Sequence, residues 1–195
     1  MSAQLDRALG ALAAGQVIVL TGDRLRGGDI DFAVAARHAT ADAVNFMATH
    51  GRGLICLALT PAHAVRLGIS LINPGSDRQS GRPHGRSIEA RTGVSTGISA
   101  ADRARTIAVA CDPAATGDDL VSPGHVFPLI ASNGGVKDRP AALEAAIELV
   151  HRAGAGDAAV ICSIMREDGE MARLDDLAEL IAAHDLAVAD IADLL

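Results

Sequence analysis

Short apolar runs alternate with segments of helical periodicity along the whole chain, and this alternation constrains the fold more than any other feature. The runs predict strands at 17–20, 53–59, 125–131, 158–164 and 186–191. The segments between them carry helix-start signals, which are Thr40, Thr60 before Pro61, and Ser99 with Asp102 in a capping-box spacing. Strands and helices in alternation predict an α/β or α+β fold in a single domain.

The composition is that of a globular chain whose core is built from aliphatic side chains. The 195 residues are 49% hydrophobic and 21% charged, which suits one domain with a sizeable core. Aromatic residues make up 2% and the formal net charge is −7, so we expect no nucleic-acid partner. The N-terminal segment resembles a short amphipathic helix and no apolar run has membrane-spanning length. We therefore expect a cytoplasmic protein with no membrane partner.

Two long segments do not fit the alternation. Residues 73–86 carry three arginines among Gly, Ser and Pro, and residues 112–124 form a second polar stretch. Long loops in a compact domain are commonly functional or mobile, so 73–86 is either an active-site flap or a disordered loop. His84 lies in this segment and is a candidate functional histidine. Cys56 and Cys162 lie inside apolar runs, which predicts buried, small hydrophobic side chains, and no zinc-ligand spacing is present.

The stretch GDRLRGGDID at 22–31 follows the first apolar run and predicts a glycine loop that holds a small anionic ligand. It combines Arg24 and Arg26 with Asp29 and Asp31 around two glycines. Arginine is a donor suited to phosphate or carboxylate. The loop contains no obvious nucleophile.

Several motifs together resemble the 3,4-dihydroxy-2-butanone 4-phosphate synthase family. They are DRLRGGD (23–29), HGRGLICLALT (50–60), GVSTGISAADRARTI (93–107), SPGHVFPLIASNGGV (122–136) and EDGEMAR (167–173). The resemblance implies one α+β domain over residues 1–195 with the three-layer fold of this family. It also implies a homodimer with active sites at the subunit interface. The family converts ribulose 5-phosphate to dihydroxybutanone phosphate and formate with Mg²⁺, on the route to riboflavin.

The chain departs from the family pattern at the metal and acid positions. Where the family has D-R-E-N-E-G-D, Leu25 and Gly27 replace the two glutamates, the first of them a metal ligand. Where the family has R-G-G-H-T-E-A, Ala142 replaces the second metal ligand and Leu143 replaces a phosphate-binding threonine. Ser163 stands in place of a catalytic glutamate. Because Mg²⁺ requires hard oxygen ligands, these replacements predict no metal site and no cofactor.

Other positions of the family pattern are retained. The resemblance implies substrate-binding roles for Arg24, Arg139, Thr96 and Cys56. It implies catalytic roles for His125 and Asp29. His125 would act as a general acid or base, provided that Asp29 or an interface carboxylate orients it.

Three functional hypotheses remain open. The leading one is a divergent, metal-independent isomerase, lyase or cyclase acting on a small oxygen-rich or anionic metabolite, plausibly in specialised metabolism. The second is a genuine synthase with metal ligation rebuilt, for instance from Asp31 or His84, and then with Mg²⁺ as cofactor. The third is a catalytically inactive homologue that binds a ligand. Each implies a small-molecule partner and a homodimer.

Overall fold

The computed structural model describes residues 2–72 and 82–195. In these ranges the strands are β1 Ile18–Asp23, β2 Asp29–Ala35, β3 Cys56–Leu59, β4 Ile88–Ala90, β5 Leu120–Ile130, β6 Ala159–Ser163 and β7 Val188–Asp190. The helices are α1 Ala3–Ala13, α2 Ala41–Gly51, α3 Pro61–Arg66, α4 Ala100–Cys111, α5 Ala142–Arg152 and α6 Ala178–Ala183. No helix in this part of the chain is long and apolar enough to cross a bilayer.

The strands form one mixed sheet in the order β4-β5-β3-β6-β2-β1-β7. β1 and β2 form an antiparallel pair, while β3 and β5 run parallel, as do β1 and β7. Successive side chains of a strand point to opposite faces, so Phe32 and Leu57 pack on one face and Ala33 and Cys56 on the other. Helices α2 and α4 cover the first face and α1 and α5 the second. The predicted α+β, three-layer architecture is confirmed.

The residues that the sequence analysis identified as helix starts cap their helices as expected. The hydroxyls of Thr40, Thr60 and Ser99 accept hydrogen bonds from the backbone N–H three residues ahead, at 3.2, 3.2 and 3.0 Å. Each hydroxyl satisfies one of the N–H groups that the first turn of a helix leaves free. Asp102 does not complete a capping box. Its carboxylate accepts instead from Ser95 and Gly97 of the preceding loop.

Two boundaries differ from the sequence prediction. Residues 29–31 were expected in the glycine loop, but they begin β2, so the loop is confined to residues 24–28. Residues 120–124 were expected in the loop 112–124, but they form the first half of β5. Asp29 and Asp31 in the first segment, and Ser122, Pro123 and Gly124 in the second, have weak strand propensity, which backbone pairing with a neighbouring strand outweighs. Of the polar segment 73–86, residues 73–81 lie outside the described part of the structure.

Candidate functional site

The glycine loop joins β1 to β2 and presents its charged groups in pairs. Residues Arg24–Arg26 form one turn of 3₁₀ helix, and Gly27 and Gly28 follow with φ of 69° and 83°, a conformation that favours glycine. Arg24 is exposed. Arg26 turns back onto the strand, with its Nη2 2.8 Å from the Asp29 carboxylate. The positive charge of Arg26, which the sequence suggested for ligand binding, is therefore partly neutralised by Asp29.

A pocket of about 430 Å³ lies beside this loop. Its wall includes Arg26, Arg82, Cys56 at the start of β3, Ser163 at the end of β6, and His84. Cys56 is buried, and burial raises the pKa of its thiol to about 11, so the thiol is neutral. Burial, reinforced by the charges of Arg82 and Arg26, lowers the pKa of His84. The pocket thus combines fixed cations with neutral polar groups.

A fully buried carboxylate organises one wall of the pocket. Asp31 on β2 lies opposite Ser163 on β6 in the antiparallel register, and the Ser163 hydroxyl donates to Asp31 Oδ1 at 2.9 Å. Arg82 Nη2 donates to the same Oδ1 at 2.5 Å and to Ser163 Oγ at 2.9 Å. Asp31 Oδ2 lies 3.8 Å from Arg26 Nη1. Asp31 therefore links Arg26 and Arg82, two of the three arginines that line the pocket.

His125 is oriented by a carboxylate that the sequence analysis did not single out. Its Nδ1 lies 2.7 Å from Glu89 Oε2, across the β4–β5 pair, and its side chain is 42% exposed. The Thr106 hydroxyl donates to the other carboxylate oxygen of Glu89 at 3.2 Å. A carboxylate held in this way fixes the orientation of the imidazole ring, which suits a general acid or base.

Thr96 lies in the loop that leads from β4 to α4 and is exposed. The residues on either side of it bind Asp102. Ser95 Oγ donates to the Asp102 carboxylate at 2.8 Å and the Gly97 N–H donates at 3.0 Å. These hydrogen bonds, chiefly that of the Ser95 hydroxyl, lower the pKa of Asp102. Asp102 thus holds the loop that presents Thr96.

Arg139 lies near the N-terminus of α5, where a second group of charges meets. Its Nη1 is 3.4 Å from Glu144 Oε1, and the Ser132 N–H donates to that same oxygen at 3.1 Å. Burial raises the pKa of Glu144. At the start of the helix the Ala142 N–H donates to Asp23 Oδ2 at 3.0 Å. This backbone donor is occupied by a carboxylate of the chain itself.

The structure brings only some of the expected site residues together. Cys56 shares the pocket with Arg26, and Asp29 pairs with that arginine. His125 does not join them, because β3 and β6 lie between its strand β5 and Asp29's strand β2. Sequence reasoning missed Arg82, Glu89 and Asp23. Asp23 and Glu89 are charges at apolar stretches, a signal that the sequence offers, whereas Arg82 lies in the polar segment 73–86 and has no such signal. The partner of each charge is set by the tertiary structure.

Comparisons with known protein sequences all point to one family. A sequence model of 3,4-dihydroxy-2-butanone 4-phosphate synthase matches residues 6–195. The synthase of Pseudomonas syringae pv. tomato is 45% identical over 181 residues, which are 93% of this chain and 49% of that protein. Riboflavin biosynthesis protein RibBA of Aquifex aeolicus is 42% identical over 193 residues, covering 98% of this chain and 48% of that protein. The chain spans about half the length of these curated relatives.

Solved structures agree with the sequence comparisons. RibBX, a two-domain synthase from A. baumannii, has a TM-score of 0.90 and 38% identity, over 97% of this chain and 56% of that one. A synthase solved in complex with two magnesium ions also has a TM-score of 0.90, with 32% identity, over 97% of this chain and 94% of that one. The names of these relatives support the second functional hypothesis, a genuine synthase, better than the leading one.

The prediction of no cofactor is wrong, because a close structural relative is a synthase in complex with two magnesium ions. The residues at the positions where the sequence analysis places the family's metal ligands nevertheless fit magnesium poorly. Leu25 and Ala142 have no side-chain oxygen, and Asp31 already binds Arg82. Within residues 2–72 and 82–195, no three His, Cys, Asp or Glu side chains are grouped so that they could hold a metal ion.

The fold, the order of the motifs and the relatives lead to one conclusion about ancestry. The matched sequence model covers nearly the whole chain, and identities of 40–45% extend over more than nine-tenths of it. This chain belongs to the 3,4-dihydroxy-2-butanone 4-phosphate synthase family.

Proposed function

We propose that residues 1–195 form one lyase domain that converts ribulose 5-phosphate to 3,4-dihydroxy-2-butanone 4-phosphate and formate, a step of riboflavin biosynthesis. The observation that carries this proposal is the identity of 40–45% with curated synthases over more than nine-tenths of the chain. The pocket of about 430 Å³ agrees with it, because its arginines suit a small anionic substrate.

The proposed roles follow the chemistry of the side chains. Arg24 and Arg139 bind the anionic part of the substrate, with Thr96 and Cys56 as further contacts. Asp29 contacts the reacting part of the substrate. His125, oriented by Glu89, transfers protons to or from the substrate. Guanidinium groups near the developing enediolate offset its negative charge.

A homodimer is part of the proposal, since one chain keeps His125 apart from the pocket that contains Cys56. His125 of one subunit would complete the pocket of a second copy. Sedimentation velocity at micromolar concentration should therefore show a dimer. A stable monomer that still turns over ribulose 5-phosphate would contradict this arrangement.

The reaction is tested by incubating the purified chain with ribulose 5-phosphate and magnesium chloride. Formate is measured with a coupled formate dehydrogenase, and the phosphate ester with ³¹P NMR. We expect equal amounts of formate and a new ester, with the Pseudomonas syringae synthase as positive control. No formate from this chain under conditions where the control releases it would overturn the proposal.

A second candidate function is supported by one specific observation. Leu25, Ala142 and Ser163 replace a set of oxygen- and nitrogen-bearing side chains of the family pattern, and Ser163 now belongs to a network with Asp31 and Arg82. A divergent isomerase, lyase or cyclase acting on another small, oxygen-rich or anionic metabolite would fit this wall. An NMR screen of sugar phosphates and hydroxy acids distinguishes it, since turnover of one of these without formate release supports the divergent enzyme. Binding without turnover would indicate an inactive ligand-binding homologue.

A further inference from the structure

Arg82 has an unusual position for a cationic side chain. It lines the pocket, yet its side chain is only 11% exposed. Its contacts with Asp31 and Ser163 are all made by one nitrogen, Nη2. Within the described part of the chain, that nitrogen alone has an oxygen partner. A guanidinium carries five N–H donors, and beside these contacts and a hydrogen bond to the Cys56 side chain, donors remain available to an acceptor in the pocket.

The contacts on Nη2 fix the guanidinium in place. Asp31 is fully buried and Ser163 lies opposite it on the neighbouring strand, so both partners are held by the sheet. The Ser163 hydroxyl donates to Asp31 and accepts from Arg82, which leaves this hydroxyl no proton for a ligand. The pair therefore positions Arg82, and the arginine is the group that faces the pocket. A cation oriented in advance loses little entropy when it binds a ligand.

A second guanidinium faces the same space. Arg26 lines the pocket, and its Nη1 is buried without a hydrogen-bond partner among the described residues. Its other terminal nitrogen is held by Asp29. Asp29 and Asp31 have side chains that are 12% and 0% exposed, and neither lines the pocket, so a ligand meets the arginines rather than the carboxylates. Arg26 Nη1 lies 3.8 Å from Asp31 Oδ2, so its charge is partly compensated, and an oxyanion in the pocket would add the hydrogen-bond acceptor that this nitrogen lacks among the described residues.

We propose that Arg26 and Arg82 form an oxyanion subsite in this pocket, with Asp31 and Ser163 as positioning residues for Arg82. The ligand group is a phosphate or a carboxylate, because either presents several acceptor oxygens to two guanidinium groups. The subsite differs from the one expected at Arg24 and Arg139. The inference rests on the proposed function, since that reaction assigns the phosphate of the substrate to Arg24 and Arg139 and releases formate, a second anion that this subsite could hold.

The test is isothermal titration calorimetry with inorganic phosphate and with malonate, at an ionic strength held constant with sodium chloride. The test variant is Arg82→Lys, which keeps the positive charge but loses the planar guanidinium that can donate two parallel hydrogen bonds. The matched control is Arg152→Lys. Arg152 is likewise ion-paired, with Nε 2.7 Å from Glu148, but lies outside the pocket. We expect Arg82→Lys to weaken binding of the preferred probe about tenfold to a hundredfold, and Arg152→Lys to leave it unchanged.

A second variant keeps the test decisive if Arg82→Lys folds poorly. The pair Asp31→Asn with Arg82→Gln removes both charges together and should also weaken binding while remaining folded by circular dichroism. Phosphate binding alone indicates a phosphate subsite, and malonate binding alone a carboxylate subsite. Binding of neither probe at about 10 mM, or equal affinities in wild type and Arg82→Lys, would overturn the inference.

The same variants separate this inference from the proposed function. Arg82-dependent phosphate or malonate binding without formate release would support the subsite and overturn the proposed reaction. Formate release from ribulose 5-phosphate with affinities unchanged in Arg82→Lys would support the reaction and overturn the subsite.

Discussion

Replacing Asp31 by Asn should destabilise the protein far more than removing an aspartate from an exposed ion pair. Asp31 is fully buried, and its carboxylate contacts Arg82 at 2.5 Å and Arg26 at 3.8 Å. Removing one partner of a buried ion pair costs about 3–5 kcal/mol, because the other charge stays buried without compensation. Arg26 retains Asp29 and both arginines are slightly exposed. We therefore expect about 3 kcal/mol, at the lower end of this range.

The assay is urea unfolding at one protein concentration, followed by circular dichroism. With a slope of about 2–3 kcal/mol per molar urea, the midpoint of Asp31→Asn should fall by about 1 M. The control is Asp168→Asn, because Asp168 pairs with Arg166 at 2.6 Å but both side chains are about half exposed. Solvent screens such an exposed pair, so its loss should leave the urea midpoint nearly unchanged. Equal midpoints for Asp31→Asn and Asp168→Asn would refute the reasoning that Asp31 is a buried, charge-compensating group.

Three further predictions concern the other groups of the site. His125→Ala should lower turnover of ribulose 5-phosphate roughly 10²- to 10⁴-fold and leave the urea midpoint unchanged. Glu89→Gln should shift the pH profile of kcat, because Glu89 positions the His125 ring. An unchanged pH profile would exclude that role for Glu89. Because burial raises the pKa of Cys56 to about 11, iodoacetamide at pH 8 should label it only after unfolding, as mass spectrometry would show. Burial also raises the pKa of Glu144, which means that the folded protein favours the protonated, neutral form of this side chain. The stabilisation is therefore present at acid pH and is lost as the pH rises through the pKa that Glu144 has in the folded state. Glu144→Gln should therefore gain stability relative to wild type as the pH rises above the ordinary carboxyl pKa of about 4, in urea titrations at several pH values, and a difference that does not change with pH would contradict this.

Local sequence signals determined most of the elements of the fold. The hydroxyls of Thr40, Thr60 and Ser99 cap their helices as predicted, since a cap depends on residues three positions apart. The motifs were likewise sufficient to identify the family. The sequence was less informative at β2 and in the first half of β5, where residues of weak strand propensity (Asp, Ser, Pro and Gly) enter strands. Their pairing partners are distant in sequence, and only the assembled sheet provides them.

The sequence by itself determined the family and the alternation of strands and helices, and it predicted that Leu25, Ala142 and Ser163 replace oxygen- and nitrogen-bearing side chains of the family pattern. It did not determine the partners of the charged side chains. Only the tertiary structure placed Asp31 opposite Ser163 and carried Arg82 from a segment some fifty residues away onto the same carboxylate. The physical reason is that a buried charge must be compensated by whichever opposite charge the fold brings near it, and separation along the chain does not reveal that partner.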